Sequence, residues 1–271
     1  MKTSVSVSIF PANKTAPILF SGATRENFQI IQDLGYDGID LFVDNPYSEK
    51  AKEATNLIKE FGFGVGLVMP AALAGQGLYL GDKSKDIRDV CIKKIGEIIE
   101  YTSEIDGMVS LGLVRGSQSP EETLEEFNQR FIDSCEKLLN ISEKYNMDLV
   151  LEPINRYEIN TINSMQEGLD FLKETKLPIS LLADTFHMNI EDVNLERILI
   201  ESMSYIKHIH FLDSNRLAPS MGHMNMEALY KVIKDHNYKG FLCLEALAKP
   251  NSVEVAEKGA EFFRKCEQKF K

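Results

Sequence analysis

Apolar residues follow two different spacings along the chain. Short runs, many of them rich in β-branched residues, are typical of buried strands, and longer segments with an apolar residue every three or four positions are typical of amphipathic helices. The two kinds of segment alternate from one end of the chain to the other. Strands are predicted at residues 4–10, 38–43, 64–69, 108–114, 148–152, 178–184, 206–212 and 240–245.

Each predicted strand is followed by a predicted helix, at residues 24–34, around 51–58, and at 85–101, 120–144, 164–174, 195–203, 225–235 and 253–270. The fourth helix is predicted to begin at Pro120, because a serine cap, a proline and two acidic residues are typical of a helix start. The glycine-rich segment 70–81 is either a loop that folds over a site or a plain surface excursion.

Repeated strand and helix units in 271 residues predict an α/β fold, a (β/α)₈ TIM barrel that forms one domain over residues 1–271. The alternative is a doubly wound sheet. A dinucleotide-binding sheet of that kind would carry a G-x-G-x-x-G turn after its first strand, and no such turn is present. We therefore predict a single barrel, with its active site at the carboxyl ends of the strands.

Composition narrows the class of partner. The formal net charge is −11, which disfavours a nucleic-acid partner because such proteins gather basic residues on one face. Four scattered cysteines indicate free thiols rather than a disulfide scaffold. No apolar leader or membrane-length segment is evident, which predicts a cytoplasmic protein without a membrane partner. A small-molecule substrate is the remaining expectation, and a homo-oligomer is left open.

Four consecutive predicted strands, the fifth to the eighth, end in a polar side chain that can bind a metal ion. These residues are Glu152, Asp184, His210 and Glu245. In a barrel they converge on one mouth, and their spacing is close to one strand and helix repeat. Each alone could cap a helix or pair with a cation, but carboxylates brought together repel unless a cation joins them. Oxygen and imidazole ligands favour Mn²⁺, Co²⁺ or Mg²⁺ over a structural zinc.

Further polar residues follow the same strands. Glu158, His187 and Arg216 are candidate contacts for the hydroxyl groups of a sugar. Arg115, in a loop with glycine and serine after the fourth strand, is a candidate contact for a phosphate or carboxylate on the substrate; the alternative is a solvated side chain. His208 is expected to support the site or the core rather than to act as a second ligand.

Several motifs together resemble a known family. They are Leu151-Glu152-Pro153-Ile154-Asn155-Arg156-Tyr157-Glu158, Asp184-Thr185-Phe186-His187-Met188-Asn189, Asp213-Ser214-Asn215-Arg216 and Gly222-His223. They resemble the xylose-isomerase-like TIM barrels, in particular the D-tagatose/D-psicose (allulose) 3-epimerase group. The resemblance implies that the four strand-end residues bind Mn²⁺ or Co²⁺, and that Glu158, His187 and Arg216 contact a ketose.

The resemblance also implies a mechanism of epimerisation. The metal would hold the C2 carbonyl oxygen and the C3 hydroxyl, so that the proton on C3 becomes acidic and a cis-enediolate forms. One of Glu152 and Glu245 would remove this proton, and the other would return a proton to the opposite face. Two carboxylates are needed because one base alone would return its proton to the same face.

Alternatives remain open on the same barrel. In the group that the motifs resemble, enzymes that act on free sugars commonly line the pocket with aromatic residues, including tryptophan. This chain has no tryptophan, and Phe10 and Phe42 are its obvious substitutes, so a ketose phosphate stays a candidate beside a free ketose. An aldose–ketose or hydroxypyruvate-type isomerase and an inosose dehydratase use similar ligands. An endonuclease-IV-like nuclease would need more histidines and a basic groove. An inert sugar-binding barrel is disfavoured because both glutamates of the acid/base pair are present.

Overall fold

The computed structural model describes all residues 1–271 and contains a closed barrel of eight parallel strands. Each strand pairs with the next strand along the chain, and the last pairs with the first. The predicted (β/α)₈ barrel is therefore confirmed. The strands are β1 (Lys2–Ser8), β2 (Gly38–Phe42), β3 (Gly64–Met69), β4 (Met108–Ser110), β5 (Leu149–Leu151), β6 (Ser180–Asp184), β7 (Ile206–His210) and β8 (Phe241–Leu244). A two-residue strand, Phe20–Ser21, pairs with β1 outside this ring.

The helices surround the barrel and connect its strands. They are α1 (Arg25–Asp33), α2 (Glu49–Phe61), α3 (Lys85–Ser103), α4 (Leu124–Ser142), α5 (Met165–Thr175), α6 (Thr185–Glu191), α7 (Leu195–Ser202), α8 (Met226–Asp235) and α9 (Ser252–Lys269), with 3₁₀ turns at Ala71–Gln76, Leu113–Arg115 and Glu143–Tyr145. None of the helices has the length and apolar character that crossing a bilayer requires.

The first strand shows how small polar side chains reach the barrel interior. Val5 and Val7 belong to the main hydrophobic cluster, while the alternate residues Ser4 and Ser6 are equally buried. Successive strand residues point to opposite faces, so the serines lie on the face opposite the valines. Their small side chains leave room for the polar residues described below.

A second, smaller hydrophobic cluster is separate from the main core. It contains Ile18, Phe42, Leu67, Met69, Val150 and Leu182. Partly buried residues near the barrel mouth, including Phe10, Ala16 and Ala71, pack against it. The four cysteines are buried and unbridged, which confirms the prediction of free thiols.

The two largest errors in the predicted boundaries are four residues each. The fourth strand ends at Ser110 rather than at residue 114, because the chain turns into the 3₁₀ segment Leu113–Arg115. The helix predicted from Pro120 begins at Leu124, capped by Thr123. Thr123 and Glu126 form a capping box in which each side chain accepts from the other's backbone N–H, and this satisfies two helix-end donors at once.

Helix α6 was not predicted, and the segment 70–81, predicted as a loop, contains a short helical turn. Helix α6 begins directly at the end of β6, because Asp184 is both the last residue of the strand and the N-cap of the helix. The segment 70–81 contains the 3₁₀ turn Ala71–Gln76, and its first residues line the cavity at the barrel mouth.

Candidate active site

The structure brings together the four strand-end residues that the sequence singled out as metal ligands. Glu152 and Glu245 directly follow β5 and β8, while Asp184 and His210 end β6 and β7. The Nδ1 atom of His210 lies 3.5 Å from Glu152 Oε1, 3.5 Å from Asp184 Oδ2 and 3.6 Å from Glu245 Oε2. All four side chains are buried. They therefore form one cluster at the barrel mouth.

The two oxygens of Asp184 have different surroundings. Oδ1 accepts hydrogen bonds from the backbone N–H groups of Phe186 and His187, at 2.7 and 3.1 Å, and so caps helix α6. Oδ2 is buried and accepts no hydrogen bond. The helix-capping role and the ligand role are thus compatible, because each uses a different oxygen.

The donor set fits a divalent cation. Asp184 Oδ2 and His210 Nδ1 are buried polar atoms without a hydrogen-bond partner, and they lie 3.5 Å apart. Buried polar groups normally have partners, and two unpartnered atoms facing each other indicate a missing one. Glu152 and Glu245 add two further carboxylates around the same imidazole. Hard oxygens and one imidazole are the ligands that Mn²⁺, Co²⁺ and Mg²⁺ accept.

The charge of the cluster supports the same conclusion. Burial raises the pKa of Glu245 to about 8, and the nearby carboxylates of Glu152 and Asp184 add to this rise, although His210 and Arg216 oppose it. Burial acts to lower the pKa of His210, but the surrounding carboxylates, Glu245 foremost, raise it well above its ordinary value. The cluster therefore favours bound positive charge, which a divalent cation would supply.

Asp40 is a member of the site that the sequence analysis missed. Its Oδ2 lies 2.5 Å from His208 Nε2 and 3.4 Å from His210 Nε2, and its Oδ1 accepts a hydrogen bond from the Ser4 hydroxyl at 3.1 Å. A Cβ atom on Gly66 would approach Oδ1 to 2.6 Å, so only glycine leaves space for this carboxylate. Asp40 thus faces the ring nitrogen of His210 that points away from the cluster. The only sequence signal was an acidic residue in the middle of a buried strand.

Arg216 joins the cluster to the outer polar residues. Its Nη1 donates to Glu158 Oε1 at 2.9 Å and its Nη2 donates to Glu245 Oε2 at 3.3 Å. The guanidinium also lies 4.9 Å from the centre of the Phe186 ring, a cation–π distance. Arg216 is therefore held in place at the mouth, beside one of the candidate metal ligands.

His187 and Glu158 are linked by Asn155, another residue to which the sequence analysis gave no role. The Asn155 Nδ2 atom lies 3.0 Å from Glu158 Oε1 and 2.7 Å from His187 Nδ1, and it donates to both in this assignment of the amide. His187 Nε2 then faces Glu152 Oε1 and Asp184 Oδ2, both at 3.9 Å. The amide thus sets the position of two candidate substrate contacts.

The cluster borders a cavity of about 390 Å³ at the barrel mouth. Glu152, Glu158, His187, Arg216 and Glu245 line it. This volume falls within the range of pockets that bind small organic ligands, and perturbed titratable groups in such a pocket are typical of active sites.

Most of the chain matches one known protein family. Residues 28–266 match the family model described as xylose isomerase-like TIM barrel. The chain belongs to this family. The resemblance inferred from the strand-end motifs is therefore confirmed at the level of the family.

Relatives within the xylose isomerase-like family include sugar epimerases. The 3-dehydro-D-guloside 4-epimerase of Escherichia coli (strain K12) is 28% identical over 233 residues, which cover 81% of this chain and 86% of that protein. The D-psicose 3-epimerase of Ruminiclostridium cellulolyticum is 31% identical over 118 residues, which cover 43% of this chain and 40% of that protein. These relatives support an enzymatic role in sugar chemistry for this chain.

A solved structure of an epimerase has the same fold. The apo crystal structure of the 3-keto-D-glucoside 4-epimerase from E. coli superposes with a TM-score of 0.80 and 23% identity, covering 98% of this chain and 100% of that chain. This chain therefore has the same fold as that structure over nearly its whole length.

The role predicted for Arg115, a contact with a phosphate or carboxylate on the substrate, is wrong. The side chain is fully buried in this xylose isomerase-like barrel and does not line the cavity. Its guanidinium donates to the carbonyl oxygens of Glu152 at 2.9 Å, of Thr161 at 2.7 Å and of Ile162 at 3.2 Å. Burial lowers the pKa of Arg115 to about 10, so it stays charged at neutral pH. It fastens the loop that carries Glu152 and is unavailable to substrate.

Replacing Arg115 with Met should lower the free energy of unfolding by about 3 kcal/mol or more, because three buried carbonyl oxygens lose their donor. Urea denaturation measures this change. Arg197→Met, on the exposed face of α7, is the matched control and should change stability by less than about 0.5 kcal/mol. A stable Arg115→Met protein with a higher KM for phosphorylated substrates would instead restore the original expectation.

Replacing Asp40 with Asn should weaken the affinity for a divalent cation by about 10- to 100-fold, since the carboxylate that faces the His210 ring would be lost. Titration of the metal-free protein with Co²⁺, followed by visible absorption, measures this affinity. Asp33→Asn, at the exposed end of α1, is the control and should leave it unchanged. A folded Asp40→Asn protein with wild-type affinity would show that Asp40 does not orient the imidazole.

Proposed function

We propose that this chain is a divalent-metal-dependent epimerase, one that inverts the carbon next to the carbonyl group of a keto sugar. The observation that carries this proposal is the placement of Glu152 and Glu245. Their oxygens lie 3.5 and 3.6 Å from the same His210 Nδ1 atom, yet they come from strands β5 and β8, with β6 and β7 between them. Two carboxylates thus reach one point from different sides of the barrel mouth.

Glu152, Asp184, His210 and Glu245 would hold the metal ion, with Mn²⁺ or Co²⁺ as the first candidates and Mg²⁺ as an alternative. When bound, the ion supplies a Lewis acid that polarises the substrate carbonyl and makes the neighbouring C–H group acidic. The unpartnered Asp184 Oδ2 and His210 Nδ1 atoms support this assignment.

The two glutamates would carry the protons. One carboxylate accepts the proton from the carbon next to the carbonyl, which leaves a planar enediolate. The other glutamate donates a proton to the opposite face, and the carbon is inverted. The configuration of the substrate decides which of the two acts first, and the roles exchange in the reverse reaction.

The remaining polar residues would bind and orient the sugar. Glu158, His187 and Arg216 line the cavity next to the two glutamates and offer carboxylate, imidazole and guanidinium groups to hydroxyls. Arg216 also keeps a positive charge 3.3 Å from Glu245 Oε2, so that this carboxylate is oriented before substrate arrives. We propose that residues 1–271 form a single catalytic domain.

The names of the relatives support inversion next to a carbonyl more than they support one particular sugar. The D-psicose 3-epimerase acts next to a ketose carbonyl, and the 3-dehydro-D-guloside 4-epimerase acts next to a ring ketone. Both names describe inversion at a carbon next to a carbonyl group. We propose such an inversion for the present chain, by proton exchange at that carbon.

A substrate panel tests the proposed function. The metal-loaded protein is incubated with free ketoses, ketose phosphates and glycosides that carry a ring ketone, and products are identified by NMR. Inversion at the carbon next to the carbonyl is expected for at least one class. Formation of an aldose would show an isomerase instead, and no conversion of any class would overturn the proposal.

A further inference from the structure

The cavity has two chemically different halves. Strands β5 to β8 and their loops supply its charged residues, Glu152, Glu158, His187, Arg216 and Glu245. Strands β1 to β4 and the loops after them supply the other half, where only Asn13 and Ser110 have polar side chains. The two halves occupy opposite sides of the barrel mouth because the strands follow one another around the ring.

The apolar half is a continuous wall. Phe42 and Met69 belong to the second hydrophobic cluster, and Phe10, Ala16 and Ala71 pack against that cluster. The side chains of its two polar residues already accept hydrogen bonds within the protein, Ser110 from Gly112 N–H and Asn13 from Thr15 N–H. The wall therefore offers a ligand mainly apolar surface.

Anionic ligands do not suit this wall. Arg216 is the only cationic side chain that lines the cavity besides the ionisable His187, and both of its terminal nitrogens already donate to carboxylates. Arg115, the other arginine near the mouth, is buried behind the loop that carries Glu152. A phosphate on the substrate would thus meet apolar side chains and carboxylates, which makes a ketose phosphate a poor match.

A free ketose also matches the wall poorly. If its reacting carbons lie at the glutamates, its distal hydroxyl groups face Phe42, Met69 and their neighbours. Hydroxyl groups that leave water without a new hydrogen-bond partner oppose binding. An apolar group in the same place gains from leaving water.

We propose that the substrate is a keto sugar joined through a glycosidic bond to an apolar aglycone. The sugar lies against the charged half of the cavity and the aglycone lies against the apolar half. This inference rests on the epimerase function proposed above and adds the class of substrate. The wall then acts as a specificity determinant, since it favours keto-glycosides over free ketoses and ketose phosphates.

A series of 3-keto-hexopyranosides with methyl, n-hexyl and phenyl aglycones tests the inference. The n-hexyl and phenyl compounds should have kcat/KM values at least about 10-fold above that of the methyl compound, in line with the usual effect of added apolar groups in a hydrophobic pocket. Calorimetry with the same compounds measures binding apart from turnover, and the same 10-fold order is expected there.

Two variants of the same 3₁₀ turn provide a matched control. Ala71 lines the cavity and packs against the apolar cluster, whereas Ala74 is also partly exposed but does not line this cavity. Ala71→Asn should remove most of the preference for the apolar aglycones, and Ala74→Asn should keep it. Ala74→Asn should retain turnover of the methyl compound, and thermal denaturation should show that Ala71→Asn is folded.

The outcomes separate this inference from the proposed function. Equal kcat/KM and equal binding for all three aglycones would overturn the inference and leave the epimerase intact. Absence of turnover with an aglycone-dependent affinity would overturn the epimerase and support the apolar subsite. If Ala71→Asn keeps the preference for apolar aglycones, the apolar wall is not the cause of that preference, and the inference is overturned.

Discussion

Replacing Glu245 with Gln should lower the rate of epimerisation by about 10²- to 10⁴-fold, the usual contribution of a positioned general acid or base. The glutamine keeps an oxygen for the metal ion but cannot accept or return a proton. Glu152→Gln should cause a loss of the same order, since inversion needs both groups. Product formation under single-turnover conditions, followed by NMR, measures the effect.

Glu245→Gln and Glu152→Gln should differ in which epimer exchanges hydrogen with solvent. Each retains one glutamate, which can still remove a proton from one face of the substrate and return it to that face. In D₂O, Glu245→Gln should therefore exchange the hydrogen of one epimer, and Glu152→Gln should exchange that of the other. Glu261→Gln, on the exposed face of α9, should behave like wild type. Near wild-type epimerisation in either active-site variant would rule out the two-base assignment.

Removing the metal ion should abolish turnover and lower thermal stability. A ligand present at 100 times its dissociation constant stabilises the folded state by about 2.7 kcal/mol, so chelation should lower the melting temperature measurably. Adding Mn²⁺ or Co²⁺ back should restore both activity and stability. His210→Ala should respond to neither treatment, because it lacks the only imidazole in the ligand set.

An exposed histidine supplies the control for this experiment. His236, directly after α8, is exposed, and its side chain forms a hydrogen bond with the carbonyl oxygen of Val232. It precedes β8, whereas Glu245 follows the opposite, carboxyl end of that strand. His236→Ala should lose and regain activity like wild type. Full activity of the chelated wild-type protein would contradict the metal requirement, and full activity of His210→Ala would remove this residue from the ligand set.

The fold was largely predictable because strands and helices differ in the period of their apolar residues. Eight repeats could be counted from these periods, and the barrel follows from that count. The ends of elements were less predictable. The helix predicted from Pro120 begins at Leu124 because the Thr123 and Glu126 capping box satisfies more donors than the proline start does. Helix α6 was missed because a residue that ends a strand also starts it.

The part of the site that lies at the strand ends was predictable, because the barrel fold brings these ends close together. Residues at the ends of consecutive barrel strands must share the mouth, so Glu152, Asp184, His210 and Glu245 could be grouped before their distances were known. Their roles as ligands and bases stay predictions.

Other parts of the site depended on side-chain direction, which sequence does not reveal. Arg115 follows a strand near the mouth, yet its guanidinium turns inward to three backbone carbonyls. Asp40 lies inside a strand and was overlooked, although the pleat directs it toward His208 and His210. Asn155 was visible in a motif, but its link between Glu158 and His187 requires the folded loop.

The position of solvent hydrogen in the product tests the central claim most directly. The metal-loaded wild-type protein is incubated in D₂O with its keto-sugar substrate, and the product is analysed by NMR and mass spectrometry. One deuterium is predicted, bound to the inverted carbon next to the carbonyl group. The product is collected at low conversion, after repeated turnovers. An inverted product without deuterium would contradict proton exchange by Glu152 and Glu245. Deuterium on any other carbon would contradict it as well.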